Sequence, residues 1–174
     1  MYKSQLVARL ALAKAKAAAA IIGARATVAP SAGDKSTLHN ETYLIAGSDQ
    51  VAVIDNKIIT KPHTHSNACE QLRRASGREV IFLTSLCLYN THTGANQLTV
   101  VPYTVNFLPL TDLQIENYLT KEQPYDCAGS FKSEGLGITL FESIQGDDPN
   151  TLIGLPLIAL VKMLRAEGID PLSQ

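Results

Sequence analysis

Residues 46–62 read AGSDQVAVIDNKIITKP. Two apolar runs flank the pair Asp55-Asn56, which marks a tight turn. The segment therefore predicts a β-hairpin, with a strand YLIAGSDQVAVI over 43–54 and a return strand KIIT over 57–60. Two features of it need a reason. Asp49 and Gln50 sit bare inside the first strand, and Lys61-Pro62 follows the second. A solvated edge strand carries such residues at little cost, and so does an active site. The spacing alone leaves both readings open.

Outward from the hairpin, the pattern stays regular. THSNACEQLRRASG predicts a short helix that starts near Thr64 or Ser66 and stops at Gly77, with Ala68, Leu72 and Ala75 facing inward. EVIFLTSLCLY and QLTVVPYTVNF read as strands about a Gly-containing turn at 91–96. Thr111 and Gln114 form a capping box for the helix DLQIENYLTKE, which Pro124 ends. A loop, YDCAGSFKSEG, leads to an expected strand ITLFESI and the turn QGDDPN. The last helix is expected from Pro156, with Leu157, Leu160, Val161 and Leu164 on one face and Gly168 at its end.

Before the hairpin, SQLVARLALAKAKAAAA predicts a surface helix with Leu6, Leu10, Ala13 and Ala17 on its inner face. GARATVAPSAGDKSTLHNE, over 23–41, reads as a long loop. No repeat is present. Separated helices among hairpins indicate one α/β domain over 1–174, with a mixed, partly antiparallel central sheet and flanking helices.

Composition narrows the function. The chain has 174 residues, enough for one domain, and 45% hydrophobic residues, enough for a real core. A net charge of −1 gives no electrostatic case for nucleic acid or membrane. No apolar run reaches the ~20 residues that span a bilayer. The acid-poor, Ala-rich start resembles an organellar transit peptide, but a surface helix is the favoured reading. Cys69, Cys87 and Cys127 match neither zinc nor disulfide spacing and read as reduced thiols in a cytoplasmic protein.

Few residues can carry chemistry. Gly47 and Ser48 beside Asp49 are small enough to let a ligand near the backbone, and Lys61 falls on the same side of the hairpin. A carboxylate with a lysine suits phosphoanhydride hydrolysis: the carboxylate binds a hard cation or deprotonates water, and the lysine neutralises phosphate oxygens. The glycines and Lys132 of CAGSFKSEG suit a ligand-wrapping loop in which Glu134 accepts from a base edge, but on these residues alone a solvated turn with a charged tip is favoured. Gly135 and Gly137 precede a strand, so the dinucleotide fingerprint fails. His63 and His65 have no third ligand nearby in sequence, and Ser130 and Ser133 have no adjacent histidine base. Besides an enzyme, a small-molecule binding domain with an incidental Asp49 fits these residues.

Taken together, GSDQV, ITKP, QLRRASG, YDCAGSFKSEGLGITLFESIQG and DPNTLIGLPLIALVKMLRAEG resemble the Maf family of nucleoside triphosphate pyrophosphatases, in particular its branch acting on 7-methyl-GTP. The resemblance runs from about Ser4 onward and is weaker before Tyr43. It implies that Asp49 is the proton acceptor activating water, that Lys61 is a phosphate-side lysine, and that Lys14 is a second lysine near the substrate. It implies that Gln50 and Glu134 select the base, since the related pyrimidine-nucleotide branch has Thr and Gln there. A carboxylate at 134 can accept from the N1–H and 2-amino groups of guanine and favours a cationic, 7-methylated ring. A divalent cation such as Mg²⁺ or Mn²⁺ and a homodimer are implied in the same way; the residues that would hold the cation are left open, with Asp49 one candidate. The family's opening strand, its Ser-x-Ser-Pro-type loop bearing arginines and its first helix have no counterpart after Met1. That departure makes a truncated, catalytically impaired member, retaining nucleotide binding or dimerisation, the alternative expectation.

Overall fold

The computed structural model describes residues 2–26 and 42–173. The long loop expected over 23–41 lies, from residue 27 onward, outside the described residues; residues 23–26 continue the first helix. Helix α1 is Tyr2–Ala26, and β1 (Leu44–Ile54) turns into β2 (Lys57–Ile59). The turn residues Asp55 and Asn56 both have positive φ, 47° and 61°, as a two-residue hairpin requires of its centre. Then follow α2 (His65–Ala75), β3 (Glu79–Asn90), β4 (Asn96–Phe107) and α3 (Asp112–Glu122). The chain ends with β5 (Phe141–Gln145), the short α4 (Asn150–Ile153) and α5 (Leu157–Ala166).

The described strands form one sheet in the order β2-β1-β3-β4-β5, and every pairing in it is antiparallel. This is a narrower result than a mixed sheet. Helices on both faces keep it within the expected α/β architecture. Pairing between β1 and β2 covers only Ala52 to Ile54, so among the described residues the stretch 44–51 has no strand neighbour on that side.

Burial along β3 shows how the layers divide. Val80, Phe82, Thr84, Leu86 and Leu88 alternate onto one face and are all buried, because α2, α3 and α5 cover it. On the other face Ser85 and Cys87 are buried, where α1 crosses. The core of the first face is organised by Phe82, Phe107, Phe131 and Phe141, packed edge-to-face with centroids 4.9–5.6 Å apart. Helix α2 buries Ala68, Leu72 and Ala75 as its periodicity predicts, starts at an N-cap on Thr64, and α3 carries the Thr111–Gln114 capping box.

Three faces differ from expectation. Helix α1 buries Val7, Ala11 and Ala15, while Leu10 is 38% exposed and Ala13 and Ala17 face solvent. The cause is the close approach to β1. A Cβ placed on Gly47 would lie 2.4 Å from the Ala11 carbonyl oxygen, so only the helix's smallest stripe fits. The expected strand ITLFESI is a 3₁₀ turn over Leu136–Leu140 and becomes a strand only at Phe141. Successive residues Leu140 and Phe141 both pack on the core, which an alternating strand does not permit. In α5, Leu160, Met163 and Leu164 pack inward, and Leu157 is exposed.

Asp148 sets the start of α5. Its carboxylate accepts from Ile158 N at 2.7 Å and from both the backbone and side-chain nitrogens of Asn150 at 2.9 Å. Burial alone would push this carboxyl up, but the donors outweigh it and hold it below the usual carboxylate range. A lowered folded value stabilises the protein fully above the unfolded one, about 3.9. That contribution is lost as pH falls through the folded value. We expect Asp148→Ala to cost about 1–3 kcal/mol at neutral pH. In urea titrations the gap between variant and parent should close on acidification; a gap independent of pH would assign Asp148 no such role.

Candidate active site

The free stretch of β1 explains how neighbouring residues on opposite faces reach one cleft. Asp49 pairs with Ser85 on the α1 face, and Gln50 pairs with Thr84 on the opposite face. With no strand among the described residues beside them on the outer edge, both border a cleft of about 320 Å³ that wraps over that edge. Lys14 reaches it from α1, Lys61 from the end of β2, and Glu134 from the loop before β5. All five sequence-predicted site residues line this one cleft.

Their surroundings fix what each can do. Lys14 Nζ donates to the Asp49 carboxylate and, at 3.0 Å, to the Ser48 carbonyl oxygen. The Asp49 side chain is only 17% exposed whereas that of Lys14 is 57% exposed, so the lysine lies toward the opening and the carboxylate within. The contact from Lys14 engages the carboxylate through Oδ1.

Gly47 does not open the backbone to a ligand, as its size had implied. Its bare face is covered by Ala11 and Ala15 of α1, and this contact brings Lys14 to Asp49. Ser48 Oγ lies 2.8 Å from the Ser85 carbonyl and 2.6 Å from that of Gly154, which ties β1 to the turn after α4. Gln50 likewise uses its amide inside the fold, donating to Thr84 Oγ1 at 2.7 Å and to the carbonyls of Thr151 and Leu152 at 2.9 and 3.3 Å.

The opposite wall is the segment 126–134. Tyr118 of α3 anchors it, its hydroxyl accepting from Lys132 N at 3.1 Å. Burial pushes that phenol well up, so it stays protonated at neutral pH. Gly137 folds the segment back: a Cβ there would lie 2.1 Å from the Lys132 carbonyl oxygen. Ser133 Oγ donates to Glu134 at 3.2 Å. Burial also raises the Cys127 thiol, against the opposing pull of Lys132, and leaves it a poor nucleophile. Sequence reasoning missed Asp126, which lines the cleft beside Cys127, and the α4 turn that closes its base. The only signal for Asp126 was its place at the head of a Gly-containing loop.

An ordered acid–lysine pair, a second lysine and a polar loop facing them suit displacement at phosphorus, where positioning and charge neutralisation dominate. Residues 1–167 match the family of Maf-like proteins, and the chain belongs to that family. It is 58% identical over 127 residues to a 7-methyl-GTP pyrophosphatase of Methylobacillus flagellatus, covering 73% of this chain and 66% of that relative. A second 7-methyl-GTP pyrophosphatase, from Nitrosococcus oceani, is 51% identical over 163 residues, covering 94% of this chain and 73% of that relative. A third, from Pseudomonas fluorescens, is 58% identical over 128 residues, 74% of this chain and 67% of the relative. The chain thus spans about two thirds to three quarters of the length of these relatives. No helix among the described residues is long and apolar enough to cross a membrane.

Proposed function

We propose that this protein is a nucleoside triphosphate pyrophosphatase acting on 7-methyl-GTP, yielding the monophosphate and pyrophosphate and so clearing a modified nucleotide from the pool. The observation that carries the reading is the convergence of Asp49, Lys14, Lys61 and Glu134 on one cleft. The names of its relatives supply the substrate. Asp49 takes the proton of the attacking water. The water oxygen bonds to phosphorus, the α–β anhydride P–O bond breaks, and pyrophosphate leaves with the electron pair. Lys61 neutralises phosphate oxygens, and Lys14 both orients Asp49 and adds charge at the mouth. Glu134 accepts from the N1–H and 2-amino groups of guanine and favours the cationic methylated ring.

The carboxylates of Asp126 and Asp49 in the cleft fit a hard divalent cation such as Mg²⁺ or Mn²⁺, which leaves Glu134 to the base. When bound, such a cation would neutralise phosphate charge. Gln50 serves selection indirectly, because its donors hold the α4 turn that forms the base of the cleft. Three unpaired thiols support a cytoplasmic setting. The exposed apolar side chains of Leu155, Leu157 and Ile158 support a homodimer, which a monomer mass in light scattering at micromolar concentration would exclude.

The specificity assignment has its own test. Pyrophosphate release from 7-methyl-GTP and from UTP is compared in the parent and in Glu134→Gln. Loss of one bidentate base contact is worth about 1–3 kcal/mol, so the ratio of kcat/KM values should fall roughly 5- to 150-fold. An unchanged ratio would remove Glu134 from base reading.

A further inference from the structure

Outside the cleft, the packing of α2 on α3 gathers three side chains of different chemistry. His65 and Cys69 are one helical turn apart on α2, and Glu116 faces them from α3. One ligand atom from each lies within 4.8 Å of the other two. His65 Nε2 is 2.9 Å from Glu116 Oε1, and Cys69 Sγ is 3.7 Å from Glu116 Oε2. A tetrahedral zinc ion with bonds of about 2.0–2.3 Å holds neighbouring ligand atoms about 3.3–3.8 Å apart. Small side-chain rotations therefore bring these three to coordinating positions.

We propose that His65, Cys69 and Glu116 form a zinc site that fastens α2 to α3, separate from the cation of the cleft. The ligand chemistry selects the metal: a thiolate and an imidazole disfavour Mg²⁺ and Ca²⁺, and a nitrogen–sulfur–oxygen set suits Zn²⁺. The histidine is already oriented for it. Its other nitrogen, Nδ1, lies 3.0 Å from the Tyr125 hydroxyl, the kind of outer partner that fixes the tautomer of a ligating histidine. Arg73, the nearest cation on the same helix, is engaged by Asp112 at 2.6 Å, so its charge is compensated beside the site. On binding, Sγ–H gives way to Sγ–Zn and the thiol proton passes to solvent.

The site also bears on the cleft. Helix α3 carries Tyr118 and Glu122, whose side chains hold Lys132 N and Leu136 N at 3.1 Å. Tyr125 directly precedes the cleft residues Asp126 and Cys127. Fixing α3 against α2 thus braces the wall that bears Glu134.

The test needs no nucleotide, so its outcome is independent of the hydrolytic reading. The full chain is stripped with chelator and titrated with Zn²⁺ by calorimetry and with Co²⁺ by absorption. With excess Mg²⁺ present to fill the cleft, we expect one zinc per chain, a raised melting temperature and a thiolate-to-cobalt charge-transfer band. Cys69→Ser and His65→Gln should each lose the band and the thermal shift. Cys127→Ser should keep both, and Tyr125→Phe should weaken binding about 10- to 100-fold. His65 is half-exposed, so His65→Gln keeps the test sound if the buried Cys69 variant misfolds. No stoichiometric zinc binding, a band that persists in Cys69→Ser, or one that vanishes with Cys127→Ser would each overturn the proposal.

Discussion

Asp49→Asn should lower turnover of 7-methyl-GTP by about 10²–10⁴-fold, the usual contribution of a general base. The variant keeps the side chain's shape and its carbonyl oxygen, so the contact with Lys14 has an acceptor and the cleft keeps its walls. What it loses is a site for the water proton. In barrier terms the loss is about 3–5.5 kcal/mol. Nucleotide affinity should hold or tighten, because one negative charge facing the triphosphate is gone. Calorimetry with the non-hydrolysed product monophosphate reads the affinity, and steady-state kinetics reads the turnover. A variant within a few-fold of parental turnover would show that Asp49 is not the base, whatever its place in the cleft.

Gly47→Ala should be nearly as damaging, although residue 47 touches no substrate. The added Cβ meets the Ala11 carbonyl oxygen at 2.4 Å and the Ala15 amide nitrogen at 2.9 Å. Both are backbone atoms of α1, so no rotamer change can make room and the helix must lift from the sheet. Overpacking of this kind costs about 1–3 kcal/mol. For a chain of this size that is a fall of roughly 2–12 °C in melting temperature. Lys14 rides on α1, and a misplacement of about 1 Å can cost on the order of 10²-fold in rate. Gly23 of the same helix supplies the control, because an added Cβ there meets nothing within 4 Å. Gly23→Ala should leave rate unchanged and stabilise the helix by up to about 1 kcal/mol. Equal behaviour of the two variants would refute the close helix–sheet contact.

The elements that were legible in sequence are those whose signals are local. Asp55-Asn56 announces its hairpin, Thr111 and Gln114 announce the start of α3, and the spacing of Ala68, Leu72 and Ala75 gives the buried face of α2. Helix α1 was harder because leucine and alanine surround it on all sides. Its buried stripe is chosen by steric fit to Gly47, a residue far along the chain. The amide partners of Gln50 on β3 and α4 are equally hidden in sequence, since they lie 34 and 101 residues along the chain. The cleft residues were found through longer motifs, but their convergence depends on β2 being too short to cover the edge of β1. His65 lacked a third ligand in sequence because that ligand, Glu116, lies 51 residues away and arrives only when α3 packs.

The proposed activity is cleavage of the α–β phosphoanhydride of 7-methyl-GTP in this cleft. Phosphorus NMR of the purified chain with 7-methyl-GTP and Mg²⁺, followed in time, tests it most directly. Pyrophosphate and 7-methyl-GMP signals should grow together in a one-to-one ratio, with no orthophosphate. Orthophosphate appearing with the diphosphate, or an unchanged triphosphate spectrum, would contradict it.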